Sequence, residues 1–289
     1  MAQMRADSMY DSSLRTVERA VSLLQHVVLE QQVIGTRETA RNLGISPSTA
    51  LRLLRSLAGL GLLEKDPTTH AYGPGLELYR LAATLLASGT LTRAARRPME
   101  RIAKQTGESA HLCVRHGDHR LVLDTVPGWH QLSYALPIGD EAPLHVGSSG
   151  QAILAWLPEE EVDSFIRKGL VTYTPRTITD PEELRRTLRV VRAQGFAISS
   201  GQHASDGVGV SAPIFRTHGE VMGSLLVTVP QTRLHEHGPL PEFGRMVRRV
   251  ADEISLHLGG RSEPESSDPQ GTTQEGEAFP PWASPQGLS

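Results

Sequence analysis

The chain has 289 residues, and at about 150 residues per domain this length favours two domains over one. The formal net charge is −3, from 29 Lys and Arg against 32 Asp and Glu, so any surface that binds nucleic acid must be a local one. No apolar run approaches the ~18 residues of a membrane span, and residues 1–13 lack the pattern of a secretory signal. Cys113 is the only cysteine, which excludes an internal disulfide and a cysteine-built zinc site. We therefore expect a cytoplasmic protein with no membrane partner.

The two ends of the chain differ in composition from the middle. Residues 1–13 are polar and rich in Met, and we predict that they are disordered. Residues 261–289 consist largely of Pro, Gly, Ser, Glu and Gln and show no apolar period, which predicts a disordered acidic tail.

The first ordered block is helical. Its first helix has apolar residues at helical spacing, and the predicted buried face consists of Val17, Ala20, Val21, Leu24 and Val28. Thr36 is expected to cap a second, short helix that Gly44 ends. Residues 62–64 and 71–72 flank a polar turn further on and predict a β-hairpin.

Between the short helix and the hairpin lies a third helix with clear start signals. Ser46 is in position to be its N-cap and Pro47 its first residue. The predicted buried face is Ala50, Leu53, Leu54 and Leu57. Helix, short helix, tight turn, helix and hairpin is the order of a winged helix-turn-helix, which reads DNA with the third helix.

The outward face of the third helix carries hydrogen-bonding groups. Arg52 has the fork geometry that pairs with guanine, whereas Arg55 lies further along and is placed for a phosphate. The hairpin turn adds Lys65. The candidate DNA-binding residues are Ser46, Ser48, Thr49, Arg52, Arg55, Ser56 and Lys65. The alternative is a small helical bundle whose arginines are simply solvated.

The second block alternates strands and helices. Candidate strands are Ser109–Arg115, Arg120–Val126, Leu132–Ala135, Phe196–Ser199, Val208–Phe215 and Val221–Val229. Three helices lie between the third and fourth strands, and the last of them has Asp180 as N-cap, Pro181 next and Gly195 as its stop. A final helix spans Leu240 to Leu258. Antiparallel strands with grouped helices predict an α+β sensor domain.

The best candidate pocket segment is the stretch from His145 to Gly150. It precedes a helix, and unpaired N–H groups at a helix start attract carboxylates and other anions. Ser148 and Ser149 add hydroxyl donors. In the alternative interpretation one serine only caps the helix and the glycines only allow the turn.

Three runs carry a resemblance to a known family. They are GISPSTALRLLRSLAGLGLLEKDPTTHAYGPGLELYRLAATLL, LPIGDEAPLHVGSSGQAILAWL and LRVVRAQGFAISSGQHASDGVGVSAPIFRTHGEVMGSLLVTVP. Together they resemble the IclR family of transcriptional regulators over about residues 14–258.

The resemblance implies an α+β protein with a winged helix-turn-helix domain over 14–76, a linker helix over 77–93 and a GAF-like effector-binding domain with an antiparallel sheet over 94–260. It also implies homodimers, often paired into homotetramers, which bind double-stranded DNA at a pseudo-palindromic operator.

The family's effector-binding positions fall on residues of this chain one by one: Ser148, Ser149, Ser199, Gly209, Leu226 and Thr228. Sensors of small acids carry an acid at the position of Ser199, a cysteine at that of Gly209 and a serine at that of Leu226. The pocket is therefore expected to be roomier and less charged at that end. This favours a larger, partly apolar organic acid or an aromatic compound over a glyoxylate-like ligand.

These observations predict a ligand-responsive, sequence-specific DNA-binding regulator, in the role of a repressor, that is not an enzyme and holds no cofactor or metal. One alternative is a protein-interaction or sensor module without DNA binding. A weaker one is a serine hydrolase that uses Ser148 or Ser149 with His145, although this segment is not a Gly-x-Ser-x-Gly elbow. His235 and His237 lack the further ligands of a tetrahedral metal site.

Overall fold

The computed structural model describes residues 2–30 and 33–260, and the chain divides after Gly89 into two units. The predicted acidic tail over 261–289 lies outside the described residues. The first unit contains α1 (Ala2–Leu29), α2 (Thr36–Asn42), α3 (Pro47–Gly59), β1 (Leu63–Lys65), β2 (Tyr72–Pro74) and α4 (Leu76–Ser88). β1 and β2 form an antiparallel hairpin, so the order of elements is that of the predicted winged helix-turn-helix.

The core of the first unit packs α1 and α3 against the hairpin. It consists of Leu23, Val27, Ile34, Leu54, Leu57, Leu63 and Tyr72. Ile34 and Tyr72 exchange two backbone hydrogen bonds of 2.9 Å, which join the segment after α1 to the hairpin.

The predicted buried face of α1 is only partly correct, since two of its residues, Ala20 and Leu24, are half-buried and pack against the core. Leu23 and Val27 are buried, whereas Val17, Val21 and Val28 are 60%, 48% and 43% exposed. The helix has apolar residues over an arc wider than one face, so its periodicity alone could not select the stripe that meets the rest of the core. α1 also begins at Ala2, within the segment predicted to be disordered; residues 2–13 contain no Gly or Pro to interrupt a helix.

Two helix boundaries of the first unit differ from the predicted ones. Gly35, not Thr36, is the N-cap of α2, and no side chain caps this helix. The predicted linker helix over 77–93 is split, because Gly89 takes an extended conformation (φ −61°, ψ 116°) and ends α4. Residues 90–93 belong to the next helix, which lies in the second unit.

The second unit is built on one antiparallel sheet. Its helices are α5 (Thr90–Thr106), α6 (Gly147–Leu154), α7 (Glu159–Arg167), α8 (Pro181–Gln194) and α9 (Leu240–His257), with 3₁₀ turns at Thr217–Gly219 and Gln231–His237. Its strands are β3 (Ser109–His116), β4 (His119–Val126), β5 (Glu141–Pro143), β6 (Ala197–Ser200), β7 (Gly207–Phe215) and β8 (Val221–Pro230), in the spatial order β5-β4-β3-β8-β7-β6.

The two faces of the sheet differ in chemistry, because successive side chains of a strand point to opposite sides. One face is apolar, with Leu112, Val210 and Val227 among its buried residues, and packs against α5 and α9. The alternate positions of the same strands include His111 and Ser211, and α6 contacts β6, β7 and β8. The core therefore lies on one side of the sheet and polar side chains gather on the other.

The predicted strand Leu132–Ala135 is wrong. β5, at Glu141–Pro143, pairs with β4 at this edge of the sheet instead. The carbonyl groups of Tyr134 and Leu136 accept hydrogen bonds from the hydroxyls of Thr228 and Thr125, so side chains take the place of ladder partners.

None of the helices over 2–30 and 33–260 combines the length and the apolar content that a membrane crossing requires.

Candidate DNA-binding surface and effector pocket

The sequence around Ser46 positions α3. Its hydroxyl accepts a hydrogen bond from the N–H of Thr49 at 3.2 Å, as expected of the N-cap, and it also bonds the hydroxyls of Ser48 (3.0 Å) and Thr49 (2.9 Å). Ser46 is thus engaged in holding the helix start. Ala50, Leu54 and Leu57 are buried, as predicted, and Leu53 is half-buried.

The opposite face of α3 is open. Ser48, Arg52, Arg55 and Ser56 are exposed, and Thr49 is half-exposed. Arg52 and Arg55 are three residues apart and so lie on one side of the helix. Among the described residues neither guanidinium has a carboxylate partner, which leaves both free to meet phosphates or base edges.

The turn between β1 and β2 is held by Asp66, whose carboxylate accepts the N–H groups of Thr68 (2.8 Å) and Thr69 (2.6 Å). The hydrogen bonds from Thr69, followed by that from Thr68, lower the pKa of Asp66. Lys65 is exposed at the end of β1, beside this turn.

Sequence reasoning missed two cations of α2. Arg37 and Arg41 are exposed, and the first helix of a helix-turn-helix is the one that crosses the DNA backbone. Their position in that helix was the available signal.

In the second unit, strand pairing brings three predicted effector residues into line. Ser199 on β6 lies opposite Gly209 on β7, and Gly209 lies opposite Thr228 on β8. Leu226 is two residues from Thr228 on the same face. Residues separated by up to 29 positions in the sequence therefore meet because the three strands are adjacent and in register.

α6 covers this row. The N–H of Ser148 donates to Ser199 Oγ (2.9 Å) and Ser148 Oγ bonds Ser211 Oγ (2.8 Å). Ser224 donates to the carbonyl of Ser149 at 3.0 Å. These bonds fix the first turn of α6 on the polar face of the sheet, with its N–H groups toward uncharged acceptors.

A pocket opens between α6 and the sheet, with about 470 Å³ of empty space counting its mouth. All six predicted effector residues line it. The other lining residues are Arg120, Tyr134, Leu136, Val146, Gly147, His203, Ala204, Gly207 and Val208. The mixture of apolar walls and a few polar groups is typical of a small-molecule site.

The expectation of a roomier and less charged end of the pocket stays a prediction, and two observations bear on it. A Cβ on Gly209 would lie 2.5 Å from Ser148 Oγ and 3.2 Å from Leu226, so neighbouring side chains fill the space that a missing side chain would leave. Arg120, which sequence reasoning did not select, also lines the pocket. The available signal was its position two residues before Val122 on β4, which places the two side chains on the same face of the sheet.

Arg120 is the buried member of a cluster whose other two residues, Asp140 and His203, are half-buried. Its Nη1 lies 2.5 Å from Asp140 Oδ2, and its Nη2 donates to His203 Nε2 at 3.1 Å. Burial, followed by the neighbouring Arg120, lowers the pKa of His203. The imidazole is therefore neutral and accepts at Nε2.

His111 and Cys113 lie behind the pocket. The His111 ring is buried and bridges Thr125 (3.1 Å) and Thr228 (3.0 Å), so it supports a pocket residue. Burial lowers the pKa of His111 to about 4 and raises that of the Cys113 thiol to about 11.

The side chains of the hydrolase alternative do not pair. His145 Nε2 bonds the carbonyl of Val171 at 2.9 Å, and Ser148 bonds Ser211. His237 bonds the carboxylate of Glu108. Within the described residues no group of three His, Cys, Asp or Glu side chains is placed to hold a metal ion.

Two family models match the chain. The helix-turn-helix domain of IclR matches residues 16–67, and the C-terminal domain of bacterial IclR transcriptional regulators matches residues 83–256. The transcriptional repressor IclR of Escherichia coli (strain K12) is 27% identical over 250 residues, which cover 86% of this chain and 91% of that protein.

Solved structures are similar as well. An IclR transcriptional regulator from Alicyclobacillus acidocaldarius is 26% identical, with a TM-score of 0.76 over 84% of this chain and 98% of that one. An IclR homologue from Microbacterium hydrocarbonoxydans, complexed with 4-hydroxybenzoate, is 26% identical, with a TM-score of 0.74 and the same coverage. The matches span both units of the fold, and the chain belongs to the IclR family of DNA-binding transcriptional regulators, with an N-terminal helix-turn-helix domain and a C-terminal effector-binding domain.

Proposed function

We propose that this protein is a repressor that binds a pseudo-palindromic operator as a homodimer and changes its affinity for DNA when a small organic acid or aromatic compound occupies the pocket under α6. The observation that carries the proposal is the meeting of all six candidate effector residues in one pocket of the second unit. A regulator that binds the bacterial chromosome acts in the cytoplasm, and we propose that location.

The exposed face of α3 supports the DNA-binding part of the proposal. Arg52 is placed to read a base edge, ideally guanine, with its two-pronged guanidinium. Arg55, Lys65 at the wing, and Arg37 and Arg41 of α2 are placed for phosphates, which fix the register of the protein on the duplex.

Exposed apolar side chains of the first unit support a homodimer. Val17, Val21 and Val28 lie in one stripe of α1, and on α4 Leu76 and Leu85 are 78% and 70% exposed. Apolar surface of this extent on two helices favours a protein partner, and a symmetric dimer presents two recognition helices to two half-sites. Pairing of dimers into a tetramer is the further state that the family suggests.

The pocket supports an effector with an anionic or polar end and an apolar body. α6 presents its N-terminal turn to the pocket, while Leu136, Val146, Val208 and Leu226 supply apolar walls. The similar structure that holds 4-hydroxybenzoate supports the same class of ligand. Tight binding of glyoxylate or pyruvate would contradict this choice.

Effector and DNA affect each other's binding by the same coupling free energy. A coupling of about 1–3 kcal/mol corresponds to roughly 5–150-fold regulation of DNA affinity.

The test is DNase footprinting of the full-length protein on the DNA upstream of its own gene, against random duplex, at several salt concentrations. We expect a salt-sensitive, two-half-site footprint. Arg52→Glu should abolish it, whereas Arg189→Glu, the same charge change on an exposed position of α8, should not. A footprint that survives Arg52→Glu, or wild-type protein without preference for any upstream fragment, would favour a protein-interaction module instead.

A further inference from the structure

Arg120 is a charged residue in a place where charge is costly. Its side chain is 2% exposed, yet it lines the effector pocket together with the first turn of α6. A buried guanidinium is tolerated when its donors are paired. Its hydrogen bonds therefore indicate which part of it is satisfied and which part is available.

The two edges of this guanidinium are used differently. Nη1 faces the carboxylate of Asp140 and also donates to its backbone carbonyl at 3.2 Å. Nη2 donates only to the neutral imidazole of His203, and Nε is buried without a hydrogen-bond partner among the described residues. The Nε–Nη2 edge thus has two donor nitrogens but only one hydrogen-bond acceptor, which is uncharged.

This is the edge with which arginine holds a carboxylate side-on. Arg233 does so in the same domain, where Nε and Nη2 donate to the two oxygens of Glu108 at 2.6 and 2.9 Å. Because Arg120 has the same donors and a weaker partner, a carboxylate would satisfy both N–H groups at once.

We propose that Arg120 binds the carboxylate of the effector through its Nε–Nη2 edge and that this carboxylate replaces His203 as the hydrogen-bond partner of Nη2. The proposal rests on the proposed function, since it takes the pocket under α6 as the effector site. It narrows the ligand to an organic monocarboxylate whose apolar body lies against Leu136, Val208 and Leu226. The positive end of the α6 dipole borders the same pocket and favours the same charge.

The experiment compares matched acids and amides. Isothermal titration of the full-length protein uses benzoate, 4-hydroxybenzoate and phenylacetate, each beside its neutral amide. We expect at least one acid to bind about tenfold or more tightly than its amide. Arg120→Gln should remove this preference while amide binding stays within about threefold, and Arg120→Lys should retain part of it because lysine keeps the charge but not the fork.

His203→Ala provides an independent readout. Loss of the competing acceptor should tighten acid binding by roughly 2–10-fold, a gain that a merely structural role for Arg120 would not give. If thermal unfolding shows that Arg120→Gln does not fold, His203→Ala becomes the deciding variant. Acid binding by His203→Ala that is unchanged or weaker than that of the wild type would overturn the proposal.

Three other outcomes would also overturn it: equal acid binding by Arg120→Gln and wild type, a preference of the wild type for amides, or no binding of any of the acids. In each case operator binding would be intact and the proposed function would stand. Failure of the proposed function is seen separately, as absence of the operator footprint in every condition.

Discussion

The backbone N–H of Ser148, in the first turn of α6, donates a hydrogen bond of 2.9 Å to the hydroxyl of Ser199 on β6. Both residues are buried, so this hydroxyl stands in for water at the start of the helix. We expect Ser199→Ala to leave the N–H without an acceptor and to lower the free energy of unfolding by about 1–2 kcal/mol. Urea unfolding measures the change. Ser205→Ala, at an exposed position nearby, is the control, and an equal effect of the two substitutions would contradict the expectation.

Glycine is needed at position 209 because neighbouring side chains leave no room for a Cβ, and not because of its backbone conformation. A Cβ there would lie 2.5 Å from Ser148 Oγ, which is already bonded to Ser211. We expect Gly209→Ala to displace Ser148 and to weaken effector binding by roughly tenfold, with DNA binding retained.

The double variant Gly209→Ala/Ser148→Ala tests this mechanism. Removal of the Ser148 hydroxyl relieves the clash, so the two substitutions should be non-additive and part of the affinity should return. Titration of an acid that binds the wild type measures the double variant and the two single variants, Gly209→Ala and Ser148→Ala. Strictly additive losses would rule out the contact as the cause.

His111 makes stability depend on pH. Its pKa is about 4 in the folded protein, chiefly because of burial, against an ordinary value of 6.5. Between these two values the unfolded chain takes up a proton that the folded chain does not. The contribution of neutral His111 is therefore complete above pH 6.5 and falls as the pH decreases towards 4, by about 3 kcal/mol in total.

Urea unfolding at a series of pH values measures this loss, and NMR titration of the His111 ring measures the pKa directly. The His111→Gln variant cannot titrate at this position, so its unfolding free energy should fall less steeply over the same range. Titration of the ring near 6.5 would contradict the assignment.

The exposed stripe of α1 predicts the assembly state. We expect Val17→Glu/Val21→Glu to convert the proposed homodimer to monomers, because two charges would be buried in an apolar interface, and to weaken operator binding as a consequence. Analytical ultracentrifugation measures the mass. Val190→Glu, on α8 and with a similar exposure of 45%, should leave the mass unchanged. A monomeric wild type, or a double variant that remains dimeric, would contradict the prediction.

Elements specified by local chemistry were predictable. The Ser46-Pro47 start and the leucine spacing of α3, and the Asp180-Pro181 start and Gly195 stop of α8, are signals carried by the segments themselves. The family resemblance supplied the pocket positions, and strand register explains why they meet.

The incorrect predictions concern residues whose burial or pairing depends on a second, distant segment of the chain. α1 offers two apolar stripes, and only packing against α3 and the hairpin determines that Leu23 and Val27 are buried. The sequence of Leu132–Ala135 likewise does not show that another segment pairs with β4. The strand that does so, β5, has only three residues and gives little signal of its own. Arg120 was missed since its burial depends on Asp140 and His203, which lie 20 and 83 residues away in the sequence.

The division of the sheet into an apolar and a polar face has a consequence for how such regulators diverge. In the proposed effector pocket we expect exchanges at Gly209 or Leu226 to alter which ligand is bound, while the side chains that pack against α5 and α9 project from the other face of the sheet. A duplicated copy of the gene can therefore acquire a new ligand preference without an equal loss of folding stability. Selection can then act on ligand preference almost independently of the core that stabilises the domain.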